Sequence, residues 1–194
     1  MTRIFILNGH PAETSLNKDL SLTYARTAKA NGHEVRILHL HDLEFDMDYG
    51  FAGYSQTKPL EEDLQTVFAN LEWCEHFVMT TPMWWGGLPG KLKGLIDRVL
   101  LPGKAFDTRN TTFGMPAPML TGRSGRVFIT ADTPGILMRL LYSNALQHQI
   151  RRQILGFIGL KPVKVSFFAP ASHPKPKAVA RWLKEVQRLA AKSA

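Results

Sequence analysis

The sequence predicts an α/β fold: a doubly wound parallel sheet of five strands in the order 2-1-3-4-5, with helices on both faces. Two observations carry this. Five short stretches, RIFILN (3–8), EVRILHL (34–40), HFVMTTP (76–82), RVFITA (126–131) and KVSFFAP (164–170), have the length and the β-branched and aromatic content of strands. Between them, and after the last, apolar residues recur at helical spacing. Strand–helix alternation implies a parallel sheet covered on both faces, and right-handed crossovers leave few strand orders.

The elements follow in order. Leu16, Leu20 and Tyr24 mark a helix over 15–30, closed by Asn31-Gly32. A loop rich in Asp, Gly and aromatics occupies 41–58. The next helix is expected from Pro59, a favourable first-turn residue, with Glu61, Glu62 and Asp63 at its positive end. A third helix follows Pro89, with Leu92, Leu95, Ile96, Val99 and Leu100 on one face. The residues from there to Ser124 read as a second long loop. A fourth helix is expected over 137–156. A fifth spans 173–192, with Val179, Trp182, Leu183, Val186 and Leu189 inward. No repeat, linker or low-complexity segment interrupts the chain, so one domain over 1–194 is expected. Long loops in a compact domain are usually functional, and the loops of interest follow strand C-termini, where open α/β sheets bind ligands.

Composition narrows the function. A charged fraction of 21% with 44% hydrophobic residues argues against disorder. No apolar run would span a bilayer, and no basic segment precedes an apolar one at the N-terminus, so a soluble, cytoplasmic protein is expected. The one cysteine, Cys74, excludes an intramolecular disulfide and a cysteine-rich metal site; beside Trp73 it reads as a packed thiol. The net charge of +8 favours anionic partners. The cations are spread out, however, with a loose concentration in the last third from Arg151-Arg152 through Lys161 and Lys164 to Lys184. No basic–aromatic signature accompanies them, so nucleic acid is not expected as a partner. His39 and His41 flank Leu40 as strand alternation would place them. No cluster has metal-ligand spacing, and no nucleophile elbow is visible.

Three loops carry the chemistry. NGHPAETSLNKDL (8–20) lacks the Rossmann and P-loop spacings but joins a buried strand to a helix N-terminus. Thr14, Ser15 and Asn17 supply polar groups there. The helix start would bind phosphate, or Thr14 or Ser15 would serve only as an N-cap. His10 would bond a phosphate as an imidazolium, or be a plain turn residue. In TPMWWGGLPG (81–90), Trp84 and Trp85 cannot both be core without burying two indole N–H donors. Gly86 and Gly87 would let another group approach the backbone. A flat aromatic ligand explains both choices; packing on another subunit explains the tryptophans. In TADTPG (130–135), Asp132 and Thr133 would face the same cleft, or Thr133 would cap the next helix. One loop suited to phosphate and one to a flat ring, on one sheet edge, describe a flavin site.

These motifs, NGHP…TSLN, TPMWWGGLPGKLKGLIDRV and GKAF, resemble the NAD(P)H:quinone oxidoreductase family, the DT-diaphorase-like branch of the flavodoxin-like fold. The likeness covers nearly the whole chain. It implies a flavin-containing homodimer that reduces quinones with two electrons from NAD(P)H in a ping-pong cycle. FAD is slightly favoured over FMN, because the 41–58 loop would cover an adenosine. By position, His10, Ser15, Leu16 and Asn17 match residues at the flavin phosphate. Pro82, Met83, Trp84, Trp85 and Gly86 match the segment against the ring, and Thr130, Ala131, Asp132 and Thr133 the loop at its pyrimidine end. Backbone N–H groups near Trp84, Trp85 and Thr133 would stabilise negative charge on the ring, and Asp132 is expected to point away from it. Phe106 matches an aromatic presented to the substrate across the dimer interface. Tyr142 and His148 are looser substrate-side counterparts, and Trp85 would also face the substrate. The same scaffold also supports nitro-, azo- and free-flavin reductases and flavin-bearing ancillary subunits of potassium-efflux transporters.

Overall fold

A computed structural model describes residues 1–50 and 58–192. In chain order the elements are β1 (Arg3–Asn8), α1 (Leu16–Ala30), β2 (Glu34–His39), α2 (Glu62–Trp73), β3 (His76–Pro82), α3 (Gly90–Val99), β4 (Phe106–Thr112), β5 (Met115–Pro118), β6 (Ser124–Thr130), α4 (Gly135–Leu140), α5 (Ala145–His148), β7 (Val163–Phe168) and α6 (Pro176–Ala190). A π-helical turn, Gln149–Ile154, continues α5. The main sheet runs β2-β1-β3-β6-β7, every neighbour parallel, which is the expected order for the five core strands.

Strand alternation divides the core in two. Phe5, Leu7, Phe77, Met79, Val127 and Ile129 face α2, α3 and the helical segment ending near Leu160. Ile4, Ile6, Val78 and Phe128 face α1 and α6, where they meet Leu20, Tyr24, Trp182 and Val186. With both faces covered, each central strand reads as a continuous apolar run. Burying each of these large side chains contributes about 1.5–3 kcal/mol. Cys74 closes α2 as a buried residue, and burial pushes its thiol up to about 11, which makes it inert. Among the described residues no helix is long and apolar enough to cross a membrane.

Three expectations need correction. Helix α2 begins at Glu62, not at Pro59, with Glu61 in extended conformation as its N-cap. The cause is Arg98 of α3, whose guanidinium is 2% exposed. It donates to the carbonyls of Asp46 and Pro59 and to both carboxylate oxygens of Glu61, so 59–61 are held straight across α3. Second, the stretch before Ser124 is not all loop: β4 and β5 form an antiparallel hairpin apart from the main sheet. Third, the single helix over 137–156 is broken. Ser143 and Asn144 adopt left-handed φ of 48° and 51° between α4 and α5, and the π-helical turn follows.

The flanks of the 41–58 loop lie on α3. A Cβ at Gly94 would stand 2.9 Å from Met47 Cγ, so glycine there admits the Met47 side chain. Residues 51–57, part of the expected adenosine cover, lie outside the described residues. Replacing Arg98 by leucine leaves Glu61 without its partner and releases both flanks. The expected cost is about 2–3 kcal/mol, less than for a fully buried pair because Glu61 keeps some solvent contact. Urea denaturation measures the loss, and limited proteolysis should show faster cleavage between residues 41 and 61.

Candidate functional site

Polar side chains sit where the central strands end. Asn8, Ser21 and Thr80 are fully buried, and Asn17 and Thr130 nearly so. Buried polar groups must find partners, and here they find each other. Thr80 Oγ1 lies 2.8 Å from Ser21 Oγ, 3.1 Å from the Asn17 carbonyl and 3.3 Å from Asn8 Oδ1. Asn17 Nδ2 donates to Thr130 Oγ1 at 2.8 Å. Asn8 Nδ2 and His39 Nδ1 are 3.3 Å apart. The first turn of α1 is thereby fixed against the C-terminal ends of β1, β3 and β6.

The chain leaves β1 through Gly9, whose N–H donates to the Thr80 carbonyl at 2.7 Å. A Cβ there would lie 2.6 Å from Leu92 Cδ2 and 2.9 Å from the Thr80 carbonyl oxygen, so only glycine fits. His10 follows. Its N–H donates to Asn8 Oδ1, and its Nδ1 accepts from the Ala12 N–H at 3.0 Å, which leaves Nε2 as the protonated nitrogen of the neutral ring. Burial, chiefly, holds its pKa below the usual histidine value. His10 therefore presents a neutral Nε2–H donor to the cleft near pH 7. Ser15 is the N-cap of α1, its Oγ accepting from the Lys18 N–H at 3.2 Å. The N–H groups of Leu16 and Asn17 remain without intrahelical partners, as at any helix start.

The second loop is a tight turn. The Trp84 N–H donates to the Gly87 carbonyl (3.0 Å) and the Gly87 N–H to the Trp84 carbonyl (2.9 Å). Trp85 and Gly86 between them have φ of 51° and 75°, the pattern of a type I′ turn. Gly86 is thus needed for its positive φ. A Cβ on Gly86 or Gly87 would meet nothing closer than 3.8 Å, so no close approach within the chain explains the pair. The Trp84 N–H is committed to the turn, whereas those of Trp85 and Gly86 make no hydrogen bond among the described residues. Trp84 is 45% exposed and set edge-on to His10, and Trp85 is entirely exposed. A bulky residue in left-handed conformation with no packing to offset the strain points to a functional constraint.

The third loop turns Asp132 toward the segment after β7. Its carboxylate accepts from the N–H groups of Ala171 (3.1 Å) and Ser172 (2.7 Å) and from Ser172 Oγ (2.5 Å). The Ser172 hydroxyl and then its N–H hold the Asp132 pKa below the usual carboxylate value. Ala171 and Ser172 escaped the sequence reading, although their position just past a strand C-terminus was a signal for them.

These loops enclose one cleft of about 230 Å³. Of the expected residues, His10, Ser15, Leu16, Asn17, Pro82, Met83, Trp84, Thr130, Ala131 and Asp132 line it, joined by Thr14, Ala171 and Ser172. Trp85 and Gly86 stand beyond its rim on the exposed turn, and Thr133 is not in its wall. Phe106, Tyr142 and His148 also lie outside it. Phe106 packs edge-on to Phe157 at 5.1 Å beside a different hollow, and Tyr142 and His148 are exposed on the α4–α5 segment. Inside the cleft wall Asn17 Oδ1 is buried and has no partner among the described residues.

With the fold and cleft in place, the comparison with known proteins is decisive at the family level. A profile of the flavodoxin-like fold family matches residues 2–190. The chain belongs to the flavodoxin-like fold family. It is similar to an NAD(P)H oxidoreductase of Haemophilus influenzae, with 23% identity over 84% of this chain and 81% of that one. It is also similar to an FMN-dependent NADH:quinone oxidoreductase of an Exiguobacterium species, with 28% identity over 84% and 82%. Among solved structures, an NAD(P)H:quinone oxidoreductase from Methanothermobacter marburgensis superposes with a TM-score of 0.82 and 19% identity, covering 100% of this chain and 99% of that one. In this flavodoxin-like chain the cleft sits at the C-terminal ends of β1, β3 and β6, where open parallel sheets place their ligands.

The turn conformation is testable without any ligand. Trp85→Gly should stabilise the protein by about 0.5–1 kcal/mol, because it relieves the left-handed strain and loses no packing. Gly86→Ala should destabilise it by about 1 kcal/mol. Paired urea melts of the two variants check both signs.

Proposed function

We propose that this cleft binds the ribityl phosphate portion of a flavin mononucleotide and that the protein is an NAD(P)H:quinone oxidoreductase. The observation that carries the reading is Asn17 Oδ1, a buried acceptor without a donor in a wall that also presents a helix N-terminus. A phosphate satisfies the N–H groups but offers this oxygen no donor when ionised; the hydroxyls of a sugar-alcohol chain do. The donor set therefore fits a phosphorylated polyol better than a bare anion.

When bound, the flavin would supply the redox chemistry, taking a hydride from NAD(P)H and returning it to a quinone. The chain's own residues bind and orient. The N–H groups of Leu16 and Asn17 and His10 Nε2–H would hold the phosphate. Trp84 and Trp85 form an apolar shelf for the flat ring. The free N–H groups of Trp85 and Gly86, with the backbone near Thr133, would face negative charge on that ring. Such donors are typically worth about 3–4 kcal/mol each to a developing anion. FMN is preferred to the slightly favoured FAD of the sequence reading. The support is the FMN dependence of the Exiguobacterium relative and the absence of residues 41–50 and 58–61 from the cleft wall. A homodimer in the cytoplasm completes the proposal. Its support is the exposed apolar row Ile136, Leu140, Leu141 and Tyr142, a surface suited to a second copy. Phe106 and the α4–α5 residues would then act on the partner's site.

Titration of the purified protein with FMN, followed by NADH and NADPH oxidation with menadione, tests the reading. Tight FMN uptake with menadione-dependent turnover is expected, and Trp84→Ala should lose most of either while keeping its melting temperature. No FMN uptake would overturn it. The pH dependence has a defined sign. The His10 pKa is lowered in the free protein, and a facing phosphate favours the imidazolium, so binding takes up a proton. FMN affinity should rise as the pH falls from about 8 to 6.5, and His10→Gln should flatten that slope.

A further inference from the structure

At the opposite edge of the sheet, where β3, β6 and β7 begin, a second hollow of about 380 Å³ is lined by Arg126, Lys164, Arg188 and Lys192. His76 and Ser124 form part of its floor, His76 Nδ1 lying 2.7 Å from Ser124 Oγ and its Nε2 3.1 Å from the Tyr24 hydroxyl. Burial first, then the charge of Arg126, holds His76 at about 4, so it is neutral at physiological pH. The cations are a different matter. Arg126 projects from a central strand and is half-buried, and burial lowers its pKa. Among the described residues neither Arg126, Lys164 nor Lys192 takes part in an ion pair. Glu185, whose field reaches Arg126, is held by Nε and Nη2 of Arg188 at 2.8 and 2.6 Å. Three positive charges with no ion pair among the described residues therefore meet on one concave surface, sharing only the more distant field of Glu185, and one of them is partly withdrawn from water. That arrangement is unfavourable alone and favourable around an anion.

We propose that this hollow binds a compact polyanion of two linked phosphates, pyrophosphate or the diphosphate end of a nucleotide. The charge match sets the class: about three negative charges at neutral pH meet three unpaired cations, whereas one phosphate ester would leave a cation over. Among the described residues no Phe, Tyr or Trp lines the hollow, so recognition rests on the phosphates and not on a stacked base. The site is far along the strands from the flavin cleft. His76 and Ser124 open β3 and β6, and Pro82 and Thr130, which line the cleft, close them.

Isothermal titration of FMN-saturated protein at low salt with pyrophosphate, ADP and adenosine tests the proposal. Pyrophosphate and ADP should bind and adenosine should not. A tighter ADP would identify the nucleotide as the source, and equal affinities the free anion. The triple variant R126Q/K164Q/K192Q should weaken binding by at least about tenfold. K177Q/R181Q/K184Q, with the same net charge, should keep the wild-type affinity. Because Arg126 is half-buried, K164Q/K192Q serves as a second variant confined to exposed positions and should lose affinity in the same direction. Absence of binding by the wild type, or an equal loss in both triple variants, would overturn the proposal. A protein that takes up no FMN still reports on this hollow, so the two readings fail separately.

Discussion

The structure depends on one buried polar network at the C-terminal ends of its central strands. Thr80 holds Ser21, Asn8 and the backbone of Asn17, and Asn17 holds Thr130. Each bond contributes only about 1 kcal/mol net, but leaving a buried member unpaired costs about 1–3 kcal/mol, so removing one member disturbs the others. It sets the position of α1, the exit of the chain through Gly9 and the wall of the cleft together. Its unsatisfied atom among the described residues, Asn17 Oδ1, belongs to a residue of the cleft wall. The same set of bonds that closes the core leaves an acceptor for something outside the chain.

Around that wall, features that disfavour the isolated protein collect on the same edge. Trp85 is strained and fully exposed, Trp84 nearly half exposed, and the helix N-terminus leaves backbone donors open. Far from it, half-buried Arg126 lacks an ion pair among the described residues. Other buried cations are engaged within the chain: Arg98 bonds the Asp46 and Pro59 carbonyls and Glu61, and Arg123 spends its guanidinium on the carbonyls of Leu71, Glu72 and Thr121.

The core strands were legible because the central ones are covered on both faces and carry short apolar runs; HFVMTTP coincides with β3 as observed. The hairpin β4–β5 was not, since FDTRNTT and MPAP are polar and the hairpin stands outside the core. Its Phe113-Gly114 turn, both residues at positive φ, was the one local signal. The break in the α4–α5 segment depends on left-handed Ser143 and Asn144, which an apolar periodicity running through them conceals. The start of α2 moved because a distant residue, Arg98, captured the preceding carbonyls, and no local pattern reveals that. In the cleft, position after a strand pointed to the three loops, and the family resemblance named most of the residues found in the wall. The reasons behind individual residues were less visible: Gly86 answers to turn geometry, and the tautomer of His10 is set by the Ala12 N–H. Asp132 is taken by a loop forty residues away. Each depends on tertiary contacts that spacing does not encode.

The most direct test of the central claim is the FMN affinity of Thr80→Ser and Thr80→Val, read from quenching of flavin fluorescence with folding checked by circular dichroism. Thr80 does not line the cleft, so any effect must pass through the network. Serine keeps the hydroxyl and should keep the wild-type affinity, while valine should weaken binding by at least about tenfold in a protein that is still folded. Full FMN affinity in the valine variant would contradict the claim that this network builds the site.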